Sequence, residues 1–308
     1  MKLTQFSRLI RFQNLVIVAL TQYLLQYLVL RPVLFQAGHS PTLDSFHFFL
    51  LVLDTVVIAA GGYLVNDLLD YEIDLINKPD KVFIGRFFSE KTVLWLYISM
   101  IFIGLAIAWY LAGYVENRRL FLIYPIAVGL LFLYSKYFKK WPLVGNVVVA
   151  AFCAFVAGVV LFAERETFSV LSSAQPAVVE NAKILFGGYL VFAFLSTLLR
   201  EIVKDLEDVE GDSQLGLQTL PIAFGAATAR KWAFAVNLVL IAAIVFFSKW
   251  LLEKGNYLPF AFTVAGLVLP LGFVGWLLEK ATEKAHYSRL SQWIKWVMLA
   301  GLMVLILC

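Results

Sequence analysis

The sequence predicts an all-α fold, a polytopic membrane bundle of about nine transmembrane helices. Hydrophobic residues make up 61% of the 308 residues and charged residues only 15%, and the mean hydropathy is +0.83. Soluble domains contain roughly 45–50% apolar and about 25% charged residues. The apolar runs are long and continuous, whereas membrane β-strands would alternate in short segments, so helices are predicted. We expect a single membrane-embedded domain, residues 1–308.

Nine apolar segments are long enough to cross a bilayer. They cover residues 14–32, 46–65, 93–114, 119–134, 142–163, 183–201, 232–252, 258–278 and 290–308. The fourth is the shortest. The N-terminal stretch is basic and then apolar and has no small-residue cleavage site, so we expect it to remain as the first helix.

Basic residues are distributed unevenly between the two sides of these spans. With a cytoplasmic N-terminus, most of the 25 Lys and Arg residues fall in cytoplasmic segments, as the positive-inside rule requires. We therefore expect the N-terminus in the cytoplasm and the C-terminus outside. Two long loops, residues 66–92 and 202–231, then lie on the cytoplasmic side.

Several classes of function receive no support from the sequence. There is no basic, aromatic-interleaved patch, so we expect no nucleic-acid partner. Cys153 and Cys308 have neither a metal-ligand spacing nor the pattern of a disulfide framework. The three histidines are scattered along the chain.

An acidic motif follows the second apolar segment. In NDLLDYEID, residues 66–74, the aspartates Asp67, Asp70 and Asp74 are spaced i, i+3, i+7. On a helix this spacing places the three carboxylates on one face, beside Asn66. The segment is interpreted as the end of the second span, continuing out of the bilayer.

The second long loop repeats the spacing. In REIVKDLEDVEGD, residues 200–212, it is carried by Asp205, Asp208 and Asp212. Clustered carboxylates repel one another, and a divalent cation such as Mg²⁺ relieves the repulsion through oxygen ligands. Two acidic faces would therefore bind a diphosphate through bridging Mg²⁺. Alternatively, each stripe is a solvated face balanced by nearby Lys and Arg, but two stripes with identical spacing favour the metal interpretation.

The paired motifs resemble those of the UbiA superfamily of intramembrane prenyltransferases, which carries NDxxDxxxD in one cytoplasmic loop and DxxDxxxD in another. RLIRFQN with Asn14, IDLINKPDK, YSKYFKKWPLVGN and EGDSQLGLQTLPIAFG are also similar to family segments. One departure is KVFIGRFFS, where the family often has P-I-P-S-G. The motif wording is most similar to the geranylgeranylglycerol-phosphate geranylgeranyltransferase branch, while GLQTLPIAFG also resembles the chlorophyll synthase branch.

The resemblance implies Mg²⁺-dependent transfer of a prenyl group from a prenyl diphosphate, expected to be geranylgeranyl diphosphate, to a lipophilic acceptor. The acceptor expected for this branch is a geranylgeranylglycerol phosphate-type ether lipid; the alternative is an aromatic acceptor in quinone or chlorophyll-type biosynthesis. A membrane transporter is an alternative of another class, but Asp54 is nearly the only acid deep inside a span. The expected location is the plasma (inner) membrane of a prokaryote, with the active site facing the cytoplasm.

The resemblance also implies roles for individual residues. The expected metal ligands are Asn66, Asp67, Asp70, Asp74, Asp205, Asp208 and Asp212. The six aspartates, together with Lys139 and Tyr134, form the expected catalytic set. Asn66, Asn14, Lys81 and Lys204 are expected to contact the bound diphosphate or metal. Aromatic rings that could stabilise an allylic cation are those of Tyr63, Tyr71, Phe132 and Tyr134.

The lysine that contacts the diphosphate is left open at this point. The family usually has Tyr and Lys four residues apart after the fourth span, whereas here Tyr134 precedes Lys139 by five residues. Lys139 and Lys140 are therefore alternatives for this role.

Overall fold

The structure, a computed structural model, describes residues 2–77, 79–214 and 216–308, with the side chains of Lys2, Ile73, Asn77 and Lys81 excepted. This part of the chain is helical almost throughout, as predicted. The α-helices are α1 (Lys2–Leu9), α2 (Phe12–Leu24), α3 (Arg31–Gln36), α4 (Ser45–Leu69), α5 (Tyr71–Asn77), α6 (Glu90–Tyr114), α7 (Arg118–Lys136), α8 (Val144–Ala163), α9 (Arg165–Ala174), α10 (Pro176–Gln214), α11 (Leu220–Phe224), α12 (Ala226–Glu253), α13 (Tyr257–Thr263), α14 (Leu269–Lys280) and α15 (Lys284–Leu307).

Nine helical segments among the described residues are long and apolar enough to cross a membrane. They are Phe12–Gln36, Ser45–Leu69, Glu90–Tyr114, Arg118–Lys140, Val144–Ala163, Pro176–Gln214, Ala226–Glu253, Tyr257–Lys280 and Lys284–Leu307. The nine predicted spans are thus confirmed, including the short fourth one, and the chain is an integral membrane protein. The cytoplasmic position of the N-terminus stays a prediction.

The sixth span is much longer than predicted, and the loop assigned to residues 202–231 needs correction. Helix α10 continues to Gln214 without interruption and contains 39 residues. At 1.5 Å per residue it is about 58 Å long, whereas the hydrocarbon core of a bilayer is about 30 Å thick. The residues after Ile202 are mostly Leu, Val, Glu, Lys and Asp, and the stretch has no Pro to end the helix. The second acidic motif therefore lies on a rigid helix.

Two spans contain a widened helical turn. A π-helical segment, Leu25–Leu30, joins α2 to α3, and another, Val264–Val268, joins α13 to α14. In each case a proline follows two residues later, Pro32 or Pro270. Proline cannot donate the i to i−4 hydrogen bond and its ring crowds the preceding turn, so a local change of helical geometry is expected there.

The buried side chains form two large clusters. One includes Phe48, Tyr124 and Phe186 and joins the first five spans to the start of α10. The other includes Leu271 and Leu290 and joins the second part of α10 to α12, α14 and α15. Helices α8 and α10 contribute to both clusters, so they connect the two halves of the bundle.

A buried carboxylate ties together one end of the bundle. Glu164 lies between α8 and α9 and is 1% exposed. Its Oε1 accepts a hydrogen bond from Gln26 Nε2 at 3.0 Å, and its Oε2 accepts one from Thr42 N at 2.8 Å. Glu164 thus links the first π-helical segment, the loop before α4 and the end of α8.

Replacement of Glu164 tests this connection. Glu164→Ala leaves the Gln26 amide and the Thr42 N–H buried without their acceptor, which should lower the free energy of unfolding by about 1–3 kcal/mol. The measurement is thermal unfolding of the detergent-solubilised protein by tryptophan fluorescence. Glu166→Ala is the control, because the Glu166 side chain is 73% exposed. Equal melting temperatures for the two variants would contradict the structural role.

Candidate active site

The first acidic motif occupies a bend between two helices. Helix α4 ends at Leu69, Asp70 caps it, and α5 begins at the next residue. The predicted uninterrupted helix through the motif is therefore corrected to two helices that meet at Asp70. Helical hydrogen bonds continue across the bend, from Asp70 N to Asn66 O and from Asp74 N to Asp70 O, both at 2.8 Å. As a result, Asp74 remains close enough to Asp67 for their charges to interact.

Two cationic side chains pair with aspartates of this motif. Arg11 Nη2 donates to Asp67 Oδ1 at 2.6 Å, and Lys139 forms a salt bridge with Asp70. The side chains of the two aspartates are only 16% and 15% exposed. Sequence reasoning missed Arg11, although it lies in the RLIRFQN stretch that was singled out for Asn14. Like charges at such low exposure would strongly oppose one another without these partners.

Lys139 and Lys140 differ clearly in their surroundings. The Lys139 ammonium group contacts Asp70 and its side chain is 11% exposed, whereas Lys140 is exposed. The Lys140 carbonyl accepts a hydrogen bond from Gln218 N at 3.2 Å, which connects this turn to the segment after α10. Of the two alternatives, only Lys139 therefore has its side chain in the first acidic motif.

The turn that carries Lys139 depends on a glycine. A Cβ atom at Gly145 would lie 2.7 Å from Lys139 Cα and 3.1 Å from the Phe138 carbonyl oxygen. Just before it, Leu143 adopts a left-handed backbone conformation with φ of 64°. The start of α8 can approach the Lys139 backbone this closely only because residue 145 has no side chain.

The Asn66 amide is held in a fixed orientation. Its Nδ2 donates to Asp70 Oδ2 at 2.9 Å, and its Oδ1 accepts a hydrogen bond from Ser135 Oγ at 3.3 Å. Ser135 is buried at the end of α7 and was not singled out from the sequence. Asn66 therefore holds the Asp70 carboxylate in a fixed orientation.

The second acidic motif lies on the continuous helix α10. Asp205 Oδ2 accepts a hydrogen bond from Asn146 Nδ2 at 2.9 Å, across to the first turn of α8. Asp208 is half-buried, Asp212 is 7% exposed, and Asp212 lies within electrostatic range of Asp205. The i, i+3, i+7 spacing thus does place these three aspartates along one face of a helix. Asn146 was not predicted, although it ends the YSKYFKKWPLVGN stretch.

The two motifs approach each other near Tyr134. Helix α5 packs against α10, and Tyr134, half-buried near the end of α7, lies within electrostatic range of both Asp70 and Asp205. Glu201, one turn before Asp205, is also in range of Tyr134. Carboxylates from the two motifs therefore surround one aromatic side chain.

The remaining predicted residues have different positions. The Arg11 guanidinium lies over the Tyr63 ring, 4.8 Å from its centre, and Asn14 interacts with the Tyr63 hydroxyl. Lys204 Nζ pairs with Glu201 at 3.3 Å rather than with an aspartate of the motif. Lys81 has its side chain outside the described residues. Phe132 is exposed and lies beside Lys136, away from the two motifs.

From the exposure and the neighbours of four side chains we infer a cavity between the helices, beside the acidic motifs. We use the term interhelical cavity for the space lined by Arg11, Tyr63, Cys153 and Tyr189. Cys153 is exposed, yet its electrostatic neighbours are Tyr63 and Tyr189 on other helices and Glu201. Arg11 likewise keeps 39% of its side-chain surface. The accessible surface of Cys153 and Arg11 therefore faces a space inside the bundle and not the lipid.

Arg11 remains charged in this environment. Burial alone would lower the pKa of its guanidinium, but attraction to Asp67, Tyr63 and Asp74 outweighs burial and raises the pKa above its ordinary value. The positive charge beside the first motif is thus permanent.

The residues fit Mg²⁺ in their chemistry. No three His, Cys, Asp or Glu side chains of the described ranges converge closely enough to surround a metal ion. Mg²⁺, however, is usually held by one or two carboxylates together with substrate phosphates and water. Asp70 and Asp205, near one aromatic residue and backed by further aspartates, supply such oxygen ligands from two sides.

Comparisons with known proteins find a matching family and similar sequences. The sequence matches the UbiA prenyltransferase family over residues 24–299. It is 34% identical over 215 residues to digeranylgeranylglyceryl phosphate synthase of Methanopyrus kandleri, covering 69% of this chain and 71% of that protein. With the synthase of the same name from Methanothermobacter thermautotrophicus it shares 30% identity over 258 residues, 81% of both chains. The alignment with the Thermococcus kodakarensis synthase, 33% identical, spans 61% of this chain and 60% of the relative.

Solved structures share the fold. A digeranylgeranylglyceryl phosphate synthase structure superposes with a TM-score of 0.62 at 22% identity, covering 99% of this chain and 97% of that chain. A UbiA homolog from Archaeoglobus fulgidus bound to GPP and Mg²⁺ gives a TM-score of 0.55 at 17% identity, with 98% and 99% covered. The family match extends over most of the sequence and includes both acidic motifs, and so the chain belongs to the UbiA prenyltransferase family.

Proposed function

We propose that this protein transfers a geranylgeranyl group from geranylgeranyl diphosphate to the free hydroxyl of a geranylgeranylglycerol phosphate-type ether lipid, with Mg²⁺. The observation that carries the proposal is the meeting of two aspartate stripes, with cations beside them, at one end of a membrane bundle. The relatives named digeranylgeranylglyceryl phosphate synthase support the ether-lipid acceptor. The UbiA homolog bound to GPP and Mg²⁺ supports the donor class and the metal.

We also propose that the site opens toward the cytoplasm of a prokaryotic cell, at its plasma membrane. The support is the excess of Lys and Arg in the segments on the same side as the two motifs. The archaeal relatives support a prokaryotic membrane.

The donor is held through its diphosphate. The residues that would hold Mg²⁺ are Asn66, Asp67, Asp70, Asp74, Asp205, Asp208 and Asp212. When bound, Mg²⁺ supplies positive charge that neutralises the diphosphate and makes it a better leaving group. Asn146 holds the Asp205 carboxylate in place from α8, and Ser135 holds Asn66.

Arg11 and Lys139 stabilise the leaving group. In the described arrangement their positive groups pair with Asp67 and Asp70. With the donor in place, these cations lie next to the diphosphate oxygens. Negative charge develops on those oxygens as the allylic C–O bond breaks. The diphosphate leaves with the electron pair of that bond.

Aromatic rings and exclusion of water protect the allylic cation. The Tyr134 ring, in electrostatic range of both motifs, can stabilise a cation through its quadrupole, whereas the Tyr63 ring already has the Arg11 guanidinium over it. The prenyl chain occupies the interhelical cavity, away from bulk water. The acceptor hydroxyl oxygen then forms a bond to the allylic carbon, and its proton passes to an oxygen of the released diphosphate.

The test is an assay of the purified protein with geranylgeranyl diphosphate, Mg²⁺ and a panel of acceptors, with products identified by mass spectrometry. The panel contains geranylgeranylglycerol phosphate, 4-hydroxybenzoate, a dihydroxynaphthoate and homogentisate. We expect a product with the ether lipid, abolished by chelation of Mg²⁺. Asp67→Ala and Asp208→Ala should each lower turnover by about 100-fold or more.

Glu210→Ala is the matched control for this assay. Glu210 lies on α10 two residues from Asp208, but it is exposed, so turnover should be unchanged. A product with an aromatic acceptor would assign a different branch of the family. The absence of product with every acceptor and several donor lengths would overturn the proposed function.

The glycine at the Lys139 turn offers a second prediction. Gly145→Ala forces the Lys139 backbone to move, because the new Cβ would lie 2.7 Å from Lys139 Cα. We expect about a tenfold lower kcat, since small displacements of a charge-stabilising group are costly. Gly129→Ala is the control, as no atom lies within 4 Å of the new Cβ. A Gly145→Ala enzyme with the kcat of the control would show that the position of Lys139 is unimportant.

The interhelical cavity can be probed through Cys153. In a Cys308→Ser background, a small water-soluble methanethiosulfonate should modify Cys153, because this thiol is exposed to the cavity. Geranylgeranyl diphosphate with Mg²⁺ should slow the modification several-fold, since the prenyl chain fills the same space. The readout is intact-protein mass spectrometry over time. Modification at the same rate with and without donor would place the prenyl chain elsewhere.

A further inference from the structure

A second group of cations lies on the membrane side of the acidic motif of α10. It consists of Arg200 and Lys204 on α10 and Lys295 on α15, together with Glu201. We call it the Arg200 cluster. Arg200 Nη1 pairs with Glu201 Oε1 at 3.2 Å, and Lys204 Nζ pairs with Glu201 Oε2 at 3.3 Å. Helix α15 packs along α10, and Lys295 is in electrostatic range of Arg200.

The charges of this cluster are not balanced. Three cations stand against two carboxylates, Glu201 and Asp205, since Asp205 lies in electrostatic range of Lys204. Lys295 has no salt bridge to a carboxylate among the described residues, and its charged neighbour is Arg200. The side chains of Arg200 and Lys204 are only 29% and 31% exposed, and Lys295 is half-buried. Partly buried like charges oppose one another unless an anion lies between them. An excess of positive charge in this position therefore indicates a binding site for an anion.

Arg200 also has an unused hydrogen-bond donor. Its Nε is buried and has no hydrogen-bond partner in the described part of the protein. Buried donors are nearly always satisfied in folded proteins. A guanidinium that uses Nη1 for Glu201 and keeps Nε free can donate to a phosphate oxygen, and its planar geometry suits this role.

Ordinary membrane anchoring does not explain the cluster. Basic anchors at a membrane edge extend into water, as Arg289 does on the same helix α15, where it is exposed. Lys295 lies 11 residues after the start of α15, about 17 Å along the helix. Arg200 lies 14 residues before the end of α10, about 21 Å along it. Both residues thus lie well inside the ends of their helices, and the packing of α15 against α10 brings Lys295 into electrostatic range of Arg200.

The cations of the cluster have different salt-bridge partners from the cations of the first acidic motif, although Glu201 is also in electrostatic range of Arg11. Arg11 and Lys139 pair with Asp67 and Asp70. Arg200 precedes Asp205 by five residues on α10, so it lies about 7–8 Å farther into the membrane. The site therefore has one pair of cations at the diphosphate motif and another group on the α10 and α15 wall.

We propose that Arg200 and Lys295 bind the phosphate monoester of the acceptor lipid. Glu201 acts as a positioning residue that holds Arg200 and Lys204. This inference rests on the proposed function, in which donor and acceptor each carry a phosphate group. The phosphate of the acceptor requires a cationic site of its own. An acceptor without an anionic group would not be bound more tightly by this site. The Arg200 cluster thus selects phosphorylated acceptors.

The test compares geranylgeranylglycerol phosphate with geranylgeranylglycerol, which lacks the phosphate, in four proteins: wild type, Arg200→Gln, Lys295→Gln and the exposed control Arg289→Gln. For the phosphorylated acceptor we expect KM to rise about tenfold or more in the first two variants, because a charged hydrogen bond is lost. KM for geranylgeranyl diphosphate should stay at the wild-type value. Removal of the phosphate should raise the acceptor KM strongly in the wild type and in Arg289→Gln. In Arg200→Gln and Lys295→Gln it should raise this KM only slightly.

This coupling between side chain and phosphate separates binding from a structural role. A variant that is damaged only in its fold would show the same fold-change in kcat/KM with both acceptors. That result would overturn the proposal. A rise in KM for the donor instead of the acceptor would assign the cluster to the diphosphate and also overturn it. Arg200→Lys, which keeps the charge, should restore part of the affinity for the phosphorylated acceptor.

Binding titrations of the two lipids by intrinsic tryptophan fluorescence make the result independent of turnover. If the wild type forms no product, the proposed function fails. Tighter binding of the phosphorylated lipid by wild type, reduced in Arg200→Gln and Lys295→Gln, would still establish the site. Equal affinity of the wild type for the two lipids would overturn it, whether or not prenyl transfer occurs.

Discussion

The arrangement of this protein depends on keeping clustered carboxylates charged at the edge of an apolar bundle. Asp67 and Asp70 are largely buried, and each has its own cation, Arg11 or Lys139. These cations come from opposite ends of the first half of the chain. Folding of the bundle therefore brings the N-terminal segment and the turn after α7 to the same acidic bend. The pairing of distant basic residues with this motif gives the site its shape before any substrate binds.

The same requirement explains the supporting polar residues. Ser135 and Asn146 are buried or nearly buried polar side chains, and each makes a hydrogen bond to a residue of an acidic motif. In an apolar interior such groups would destabilise the fold if they lacked partners. Gly145 contributes through the absence of a side chain, because it lets α8 start directly against the backbone of Lys139. Ser135 on α7 and Gly145 and Asn146 on α8 thus fix the positions of the polar groups of the site.

Much of the fold and part of the site could be predicted from the sequence. Nine spans follow from hydrophobicity and length alone, and the aspartate spacing identifies one helical face on α10. Hydrophobicity alone gives too short an α10, because charged residues mark the end of an apolar run, whereas Glu, Lys and Leu continue to favour helix. Arg11, Ser135 and Asn146 could not be found by spacing, since their partners are far away in sequence. The difference between Lys139 and Lys140 likewise depends on how one turn packs against α8.

The interruption at Asp70 and the continuity of α10 give the two motifs different mechanical properties. The first motif crosses a junction between two helices, whereas the second is part of a rod that extends without a break from the core around Phe186 to Gln214. A rod of this length fixes the height of its acidic face relative to the lipid. In a thicker bilayer, a smaller tilt of α10 or local thinning of the membrane would be needed to keep Glu201 and Asp205 near water. The thickness of the host membrane is therefore coupled to the geometry of the site through one helix.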